Sequence, residues 1–157
     1  MSSTIHLFEV ANTPCRMKMA TTAYDGMTVS YLRYTVFVEE QGVPIDVEWD
    51  GSDQTATSFI MFLDHVPIGT LRYLRLNETT IKVGRIALLK PYRGLGYGKG
   101  LMAWFDTYAL SIFKTVTAMM HAQRHVENFY RQCGYTAIGK PFMEAGIEHI
   151  EMKKDLR

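Results

Sequence analysis

Four glycines at every second position mark the stretch KPYRGLGYGKG, residues 90–100. Glycine at this density costs conformational entropy, and two explanations are available. The stretch is a turn, or it is a loop whose bare backbone amides approach an anionic ligand at the start of a helix. Arg93 and Lys99 add positive charge to the same stretch, which favours an anion such as a phosphate.

Two phosphate-binding patterns fail on this stretch. A dinucleotide fingerprint requires G-x-G-x-x-G, but the sixth residue counted from Gly94 is Lys99, and counted from Gly96 it is Leu101. A nucleoside-triphosphate loop requires G-x-x-x-x-G-K followed by Ser or Thr, whereas Gly100 follows Lys99. Both failures disfavour a nucleotide-binding domain.

The pattern that fits is Arg93-x-x-Gly96-x-Gly98, which joins a predicted strand to a predicted amphipathic helix. It resembles the [QR]-x-x-G-x-[GA] signature of the GNAT superfamily of N-acetyltransferases. In that superfamily the loop amides hold the pyrophosphate of acetyl-coenzyme A (acetyl-CoA), so the resemblance implies acetyl-CoA as co-substrate. The implied binding residues of the loop are Arg93, Gly94, Leu95, Gly96, Tyr97, Gly98 and Lys99.

Segments on both sides of the loop extend the resemblance over roughly residues 16–154. The segments VFVEEQGVP, EWDGSD, HAQ, ENFYRQCGY and EAGIEHIEM resemble a subgroup of small bacterial members. The chain departs from that subgroup at Glu148, where members often have proline before the histidine. We therefore interpret residues 1–157 as a single GNAT acetyltransferase domain, with residues 1–15 as an N-terminal extension outside the family pattern.

The resemblance assigns chemical roles to several residues. Tyr130 corresponds to a tyrosine that protonates the leaving thiolate, since a phenol with a pKa of about 10 can donate to a thiolate with a pKa of about 8.5. Without the loop, Tyr130 would be interpreted as a core tyrosine. Backbone amides of Ile86, Ala87 and Leu88 would meet the oxyanion and the pantetheine arm. Asn128 either hydrogen-bonds the pantetheine or caps its helix.

The general base is the open part of this assignment. An amine with a pKa near 10 is only about one part in 10³ neutral at pH 7, a deficit of ~4 kcal/mol that a base must offset. Glu40, at the end of the first predicted helix, lies beside the acceptor cleft of the superfamily, and partial burial there would raise the pKa of its carboxyl. The alternatives are Glu39, His121, Glu144, His149 and a water molecule. No metal is expected, because His121 and His125 straddle a predicted strand-to-helix boundary.

One segment of the chain is strongly acidic. Residues 39–53 contain six acids and no lysine or arginine, which leaves 17 basic residues against 16 − 6 = 10 acidic ones elsewhere. The six acids are Glu39, Glu40, Asp46, Glu48, Asp50 and Asp53. Such a run is usually a solvated loop. As the rim of a cleft it would instead concentrate cations and select a cationic amine.

Length and composition fit one globular domain without a nucleic-acid-binding face. A chain of 157 residues with 47% hydrophobic residues can bury a substantial core, and a net charge of +1 provides no broad basic surface. The chain has no run of ~20 apolar residues and no basic segment followed by an apolar one at its start. We expect a cytoplasmic protein that does not bind membranes.

Periodicity predicts an α+β fold. The predicted elements begin with a helix from about Asp25 to Val38 and three strands within residues 57–89. They continue with a helix that has an apolar stripe from Leu101 to Ile112, then a strand, a short helix and the final strands. This order predicts a mixed, mainly antiparallel twisted sheet of about six to seven strands flanked by about four helices. The resemblance implies the same architecture, the acyl-CoA N-acyltransferase fold.

These observations together predict an enzyme that moves the acetyl group of acetyl-CoA directly to a primary amine of a small, cationic acceptor. The alternative is a catalytically inactive acyl-CoA-binding module that acts as a sensor or partner subunit. The predicted partner is the small-molecule amine acceptor, and a homodimer is possible.

Overall fold

An eight-stranded sheet forms the centre of the computed structural model, which describes residues 5–157. The strands are β1 (Ile5–Val10), β2 (Thr13–Met19), β3 (Thr57–Leu63), β4 (Val66–Arg75), β5 (Thr80–Leu88), β6 (Val116–Gln123), β7 (Thr136–Glu144) and β8 (Ile147–Leu156). Their order in the sheet is β1-β2-β3-β4-β5-β6-β8-β7. Every neighbouring pair is antiparallel except β5 and β6.

Four α-helices flank this sheet in the described part of the chain. They are α1 (Ala23–Arg33), α2 (Ile45–Glu48), α3 (Tyr97–Phe113) and α4 (Glu127–Gln132), and a π-helix at Tyr34–Glu40 continues α1. Short 3₁₀ turns lie at Ser52–Gln54, Lys90–Tyr92 and Arg124–Val126. The predicted α+β class is confirmed, and the sheet has one strand more than the upper end of the expected range.

The start of α1 differs from the prediction by a few residues. Thr22 is the N-cap, three residues before the predicted helix start at Asp25, because its hydroxyl accepts from the backbone N–H of Asp25 while the Asp25 carboxylate accepts from the N–H of Thr22. Burial alone would raise the pKa of Asp25, but Lys18 and the backbone donors of Thr21 and Thr22 lower it to about 2. This reciprocal capping box fixes where the helix leaves β2.

The two long helices cover opposite faces of the sheet. On one face Trp104 of α3 packs edge-on against Phe59, with ring centroids 5.0 Å apart. On the other face Leu32 of α1 packs against Ile60, the next residue of the same strand. Successive strand residues point to opposite faces, so β3 anchors both layers. Ile112, the last residue of the predicted α3 stripe, is exposed.

Strand β1 is the eighth strand, and it lies in the segment that the family pattern left out. It pairs along its whole length with β2, and its side chains at alternate positions turn toward α3. His6 contacts the ring of Trp104 at a centroid distance of 5.5 Å, whereas Leu7 is 79% exposed. Residues 5–15 are therefore part of the folded sheet, and residues 1–4 lie outside the described part.

Val10 of β1 explains one of the four glycines in the loop stretch. A Cβ atom added to Gly100 would lie 2.4 Å from Cγ2 of Val10, so alanine at this position forces a shift of α3 or of β1. Gly100→Ala is expected to lower the free energy of unfolding by about 1–3 kcal/mol. Urea denaturation of the purified protein measures this change.

Gly26 provides the matched control for that substitution. It also lies within a helix, but a Cβ there meets nothing within 4 Å, so Gly26→Ala is expected to be stabilising by up to about 1 kcal/mol. Shortening Val10 to alanine in the Gly100→Ala background is expected to recover part of the loss. Equal stability of the two glycine variants would contradict the packing role of Gly100.

The sheet divides between β5 and β6. These parallel neighbours pair only from Thr80–Lys82 to Thr117–Met119, and beyond that point they separate. On its other side β5 has a bulge, because Thr70 pairs with Ala87 and Arg72 with Gly84. Three residues of β5 thus span the same length as two of β4. A cleft opens where the strands diverge.

Candidate active site

The cleft between the diverging ends of β5 and β6 has a volume of about 990 Å³. Its walls come from both faces of the sheet. The face that carries α3 and α4 contributes Gly96, Gly98, Lys99, Phe129 and Tyr130, and the opposite face contributes residues of the π-helix, α2, β4 and β8. A ligand can therefore reach the gap between the strands from either side.

The glycine loop forms one end of the cleft, at the N-terminus of α3. Gly96 is the N-cap of this helix and has φ +92°, a conformation that strongly favours glycine. Arg93, Gly94, Gly96, Gly98 and Lys99 line the cleft. The first-turn amides of a 17-residue helix are thus available to an anion there.

Two other loop residues of the prediction do not line the cleft with their side chains. Leu95 is 59% exposed, and the Tyr97 ring is buried in the main core. Only their backbone groups could serve a ligand in this loop. Gly98 is constrained by packing, because a Cβ atom there would lie 3.2 Å from Cζ of Phe129.

The edge of β5 forms the side of the cleft next to the loop. Ile86, Ala87 and Leu88 all line it, with Ile86 inside the bulge and the other two directly after it. Arg85 in the bulge has φ +51°, a strained conformation for a residue with a side chain. The bulge and the separation from β6 leave backbone groups of this segment without a neighbouring strand on the cleft side.

Tyr130 lies on the α4 side of the cleft. Its side chain is 8% exposed, packs edge-on against Phe129 and has no hydrogen-bond partner for its hydroxyl among residues 5–157. Burial raises the pKa of Tyr130 above its ordinary value, with a smaller contribution from Cys133. Asn128 is exposed and outside the cleft lining, and Val126 occupies the N-cap position of α4.

Glu40 lies at the glycine loop and does not line the cleft. Its carboxylate forms an ion pair with Arg93, at 2.9 Å between Oε2 and Nη2. The same arginine donates from Nε to the backbone carbonyl of Leu88 at 2.8 Å. Glu40 therefore orients Arg93 against the end of β5. Glu39 is exposed and also outside the lining.

The other three candidate bases form one cluster in the cleft. Nδ1 of His121 lies 3.1 Å from Oε1 of Glu144, and Nε2 of His149 lies 3.8 Å from Oε2 of the same carboxylate. A carboxylate only accepts, so Nδ1 of His121 carries the proton and Nε2 is left as the acceptor when the ring is neutral. Nδ1 of His149 donates to the carbonyl of Ile147 at 2.7 Å.

The sequence did not predict that these three residues lie together, because they are separated along the chain. Its members come from β6, β7 and β8, and the β6–β8 and β7–β8 pairings bring them onto one face. The ring of Phe142 contacts both histidines, edge-on to His121 at 4.9 Å and stacked on His149 at 6.0 Å. Within residues 5–157, no group of three His, Cys, Asp or Glu side chains could hold a metal ion.

The acidic segment does not present free negative charge to the cleft, contrary to one of the two interpretations of the sequence. Glu48 pairs with Arg33 at 2.5 Å, and Asp50 pairs with Arg72 at 2.9 Å. Hydrogen bonds from Arg72 hold the pKa of Asp50 well below its usual range. Asp53 bridges Arg33 and Arg72. A solvated loop is also an incomplete description, since Glu48 is 3% exposed.

Comparisons with known proteins agree with this geometry. The family model of the acetyltransferase (GNAT) domain matches residues 27–156. A Bacillus subtilis protein named as the uncharacterized N-acetyltransferase YjcF is 32% identical over 126 residues, which cover 80% of this chain and 89% of that protein. The chain belongs to the GNAT family, and it is an acetyl-CoA-dependent N-acetyltransferase.

Solved structures support the fold. An acyl-CoA N-acyltransferase from Pseudomonas aeruginosa superposes with a TM-score of 0.79 at 25% identity, covering 88% of this chain and 97% of that one. An acetyltransferase of Bacillus subtilis in complex with CoA has a TM-score of 0.67 at 16% identity, covering 91% and 99%. The chain has the acyl-CoA N-acyltransferase fold, and acetyl-CoA is its co-substrate. No helix within residues 5–157 is long and apolar enough to span a bilayer.

Proposed function

We propose that the enzyme transfers acetyl directly from acetyl-CoA to a primary amine that enters the cleft from the face opposite α3. The observation that carries this proposal is the placement of Tyr130 and the His121–Glu144 pair in one cleft, on different faces of the sheet. An acid and a base that approach a reacting carbonyl from opposite sides suit direct transfer.

The thioester in this proposal lies beside Ile86–Leu88, with its pyrophosphate on the glycine loop at the start of α3. Backbone N–H groups on the cleft side of β5 would stabilise negative charge on the carbonyl oxygen as the amine adds. Arg93, held by Glu40 and Leu88, adds a fixed positive charge beside the loop. The β5 amides therefore act on charge that the reaction creates, whereas Arg93 acts on the permanent charge of the pyrophosphate.

Proton transfers balance the reaction. The amine nitrogen forms a bond to the carbonyl carbon, and the carbon–sulfur bond breaks. His121 takes the amine proton at Nε2, the nitrogen not committed to Glu144, and Tyr130 gives its phenolic proton to the departing sulfur. The imidazolium then loses its proton to solvent and the Tyr130 phenolate takes one from solvent, so both residues regain their starting states. Burial keeps Tyr130 protonated before the reaction because it raises the pKa of the phenol.

The proposed base is His121 of the histidine cluster and not Glu40, because Arg93 contacts both carboxylate oxygens of Glu40. The acidic segment also gives no support to a cationic acceptor, because its acids at positions 48, 50 and 53 pair with arginines. The proposed acceptor is a small primary amine, and other residues of the cleft select the further functional groups that it carries.

Release of free thiol from acetyl-CoA in the presence of a primary amine, with the acetylated amine identified by mass spectrometry, tests this function. Lys99→Glu is expected to raise the KM for acetyl-CoA about tenfold, because it replaces an attraction to phosphate with a repulsion at the helix N-terminus.

Lys140→Glu is the matched control, since Lys140 is also exposed but does not line the cleft. It makes the same change in net charge and is expected to leave the KM for acetyl-CoA unchanged. Acetyl-CoA binding without amine-dependent thiol release would favour the inactive acyl-CoA-binding module. Equal effects of the two substitutions would contradict the placement of the phosphates.

A further inference from the structure

The wall of the cleft opposite α3 contains an open position on β5. Tyr73 of β4 packs against Phe105 of α3, so its neighbours Arg72 and Leu74 point to the other face. Gly84 pairs with Arg72 and shares that face. A Cβ atom added to Gly84 would meet nothing within 4 Å, and its φ is ordinary. The glycine leaves space in the acceptor side of the cleft.

Lys82 borders this space on the same strand and the same face. It lies two residues before Gly84, lines the cleft and is partly buried. Among residues 5–157 no carboxylate lies within ion-pair distance of its ammonium group. A partly buried cation without a partner pays a desolvation cost, and an anion in the open space would offset it.

Arg85 borders the space on the other side. Its Nε lies 3.0 Å from Oε2 of Glu48, an ion pair that lacks hydrogen-bond geometry, and its Nη2 donates to Oδ2 of Asp50 at 3.2 Å. Its Nη1 has no hydrogen-bond partner in the described part of the chain. A guanidinium that is already oriented by two carboxylates, with a donor left over, is prepared for a further acceptor.

The ion pairs beside this space are balanced in charge, and Glu144, the other carboxylate that lines the cleft, is paired with His121 on the far side of β6. One ion-pair cluster contains three cations and three anions, namely Arg33, Arg72, Arg85, Glu48, Asp50 and Asp53. The cluster therefore contributes no net charge. Lys82 adds one positive charge, so the local potential favours an anion over a second cation.

We propose that the acceptor amine also carries a carboxylate, which binds over Gly84 between Lys82 and Arg85. This inference rests on the proposed direct transfer, because it uses the same cleft. Gly84 and Ile86 are two residues apart on β5, a separation of about 7 Å or less. The amine and the carboxylate are thus separated by several bonds, as in an ω-amino acid.

Three amines of matched length test the inference. 6-Aminohexanoate carries the carboxylate, hexylamine has a methyl group in its place, and 1,6-diaminohexane has a second cation. The expected result is a kcat/KM for 6-aminohexanoate about tenfold above that for hexylamine, with 1,6-diaminohexane the poorest. Lys82→Gln is expected to remove this preference, and Lys140→Gln, away from the cleft, to retain it.

Gly84→Leu is a second variant, which fills the open space and leaves the charges of the cleft unchanged. It is expected to lower kcat/KM for all three amines while the Kd for acetyl-CoA, measured by calorimetry, stays unchanged. Gly26→Leu, at another glycine with open space, controls for the added side chain. Full amine turnover in Gly84→Leu would overturn the inference.

The outcomes distinguish a failure of the carboxylate subsite from a failure of the proposed function. Acetylation of hexylamine or 1,6-diaminohexane at least as fast as 6-aminohexanoate overturns the carboxylate subsite and leaves direct transfer standing. A preference for 6-aminohexanoate that survives Lys82→Gln also overturns it. Acetyl-CoA binding with no acetylation of any amine overturns the proposed function itself, and the inference with it.

Discussion

Replacement of Tyr130 by phenylalanine is expected to lower kcat about 10²-fold, the contribution of a positioned general acid. The Kd for acetyl-CoA should change little, because the ring still packs against Phe129 and Tyr135 and only the hydroxyl is lost. Steady-state rates of thiol release and calorimetric titration with acetyl-CoA measure the two quantities.

Tyr135→Phe is the matched control for the loss of a buried hydroxyl. The Tyr135 oxygen is buried without a hydrogen-bond partner in the described part of the chain, and the residue does not line the cleft. Removal of an unsatisfied hydroxyl is close to neutral for stability, so this variant should keep full activity. Similar losses of kcat in the two variants would indicate that packing, not proton donation, is disturbed.

The raised pKa of Tyr130 also sets a pH dependence. An ordinary tyrosine, with a pKa of about 10, would be half ionised at pH 10 and would lose its function as an acid there. Burial raises the pKa of Tyr130, so the protonated form persists and kcat should not decline through ionisation of Tyr130 up to pH 10. A decline between pH 8 and 10 that Tyr130→Phe abolishes would contradict the raised pKa of Tyr130, while a flat profile that Tyr130→Phe leaves unchanged in both shape and height would contradict its role as the acid.

The sequence predicted the parts of the fold that depend on residues close together in the chain. The glycine loop and α3 follow from turn residues and helical periodicity, and both lie where the sequence predicted them. Strand β1 was missed although its pairing partner β2 is its neighbour in the chain. Ile5 and Leu7 are exposed and His6 packs against Trp104, so the segment lacks the alternation of apolar and polar residues that marks a half-buried strand. Val10 fits against Gly100, 90 positions along the chain, and no periodicity within residues 5–10 encodes that contact.

Electrostatic partners were the other feature that the sequence concealed. Residues 39–53 contain no basic residue, yet Arg33, Arg72 and Arg85 reach them from α1, β4 and β5. A count of charges along the chain cannot detect pairing across a fold. For the same reason the sequence did not reveal that Glu40 pairs with Arg93, which is 53 residues away.

Replacement of His121 by alanine is expected to lower kcat/KM about 10²-fold, because the amine then has no positioned acceptor for its proton. The readout that separates catalysis from folding is chemical rescue. Imidazole added to His121→Ala should restore part of the activity by filling the space beside Glu144 and Phe142. His65→Ala, an exposed histidine outside the cleft, should keep full activity and show no response to imidazole.

Glu144→Gln tests the second member of the pair. It keeps the shape of the side chain but removes the charge that stabilises the protonated imidazole, so a smaller loss than in His121→Ala is expected. Glu40→Gln is the decisive comparison, because Glu40 is held by Arg93 and does not line the cleft. If Glu40→Gln lost amine turnover while His121→Ala kept it, the base would be the carboxylate at the glycine loop, and the acceptor would have to approach from that end of the cleft.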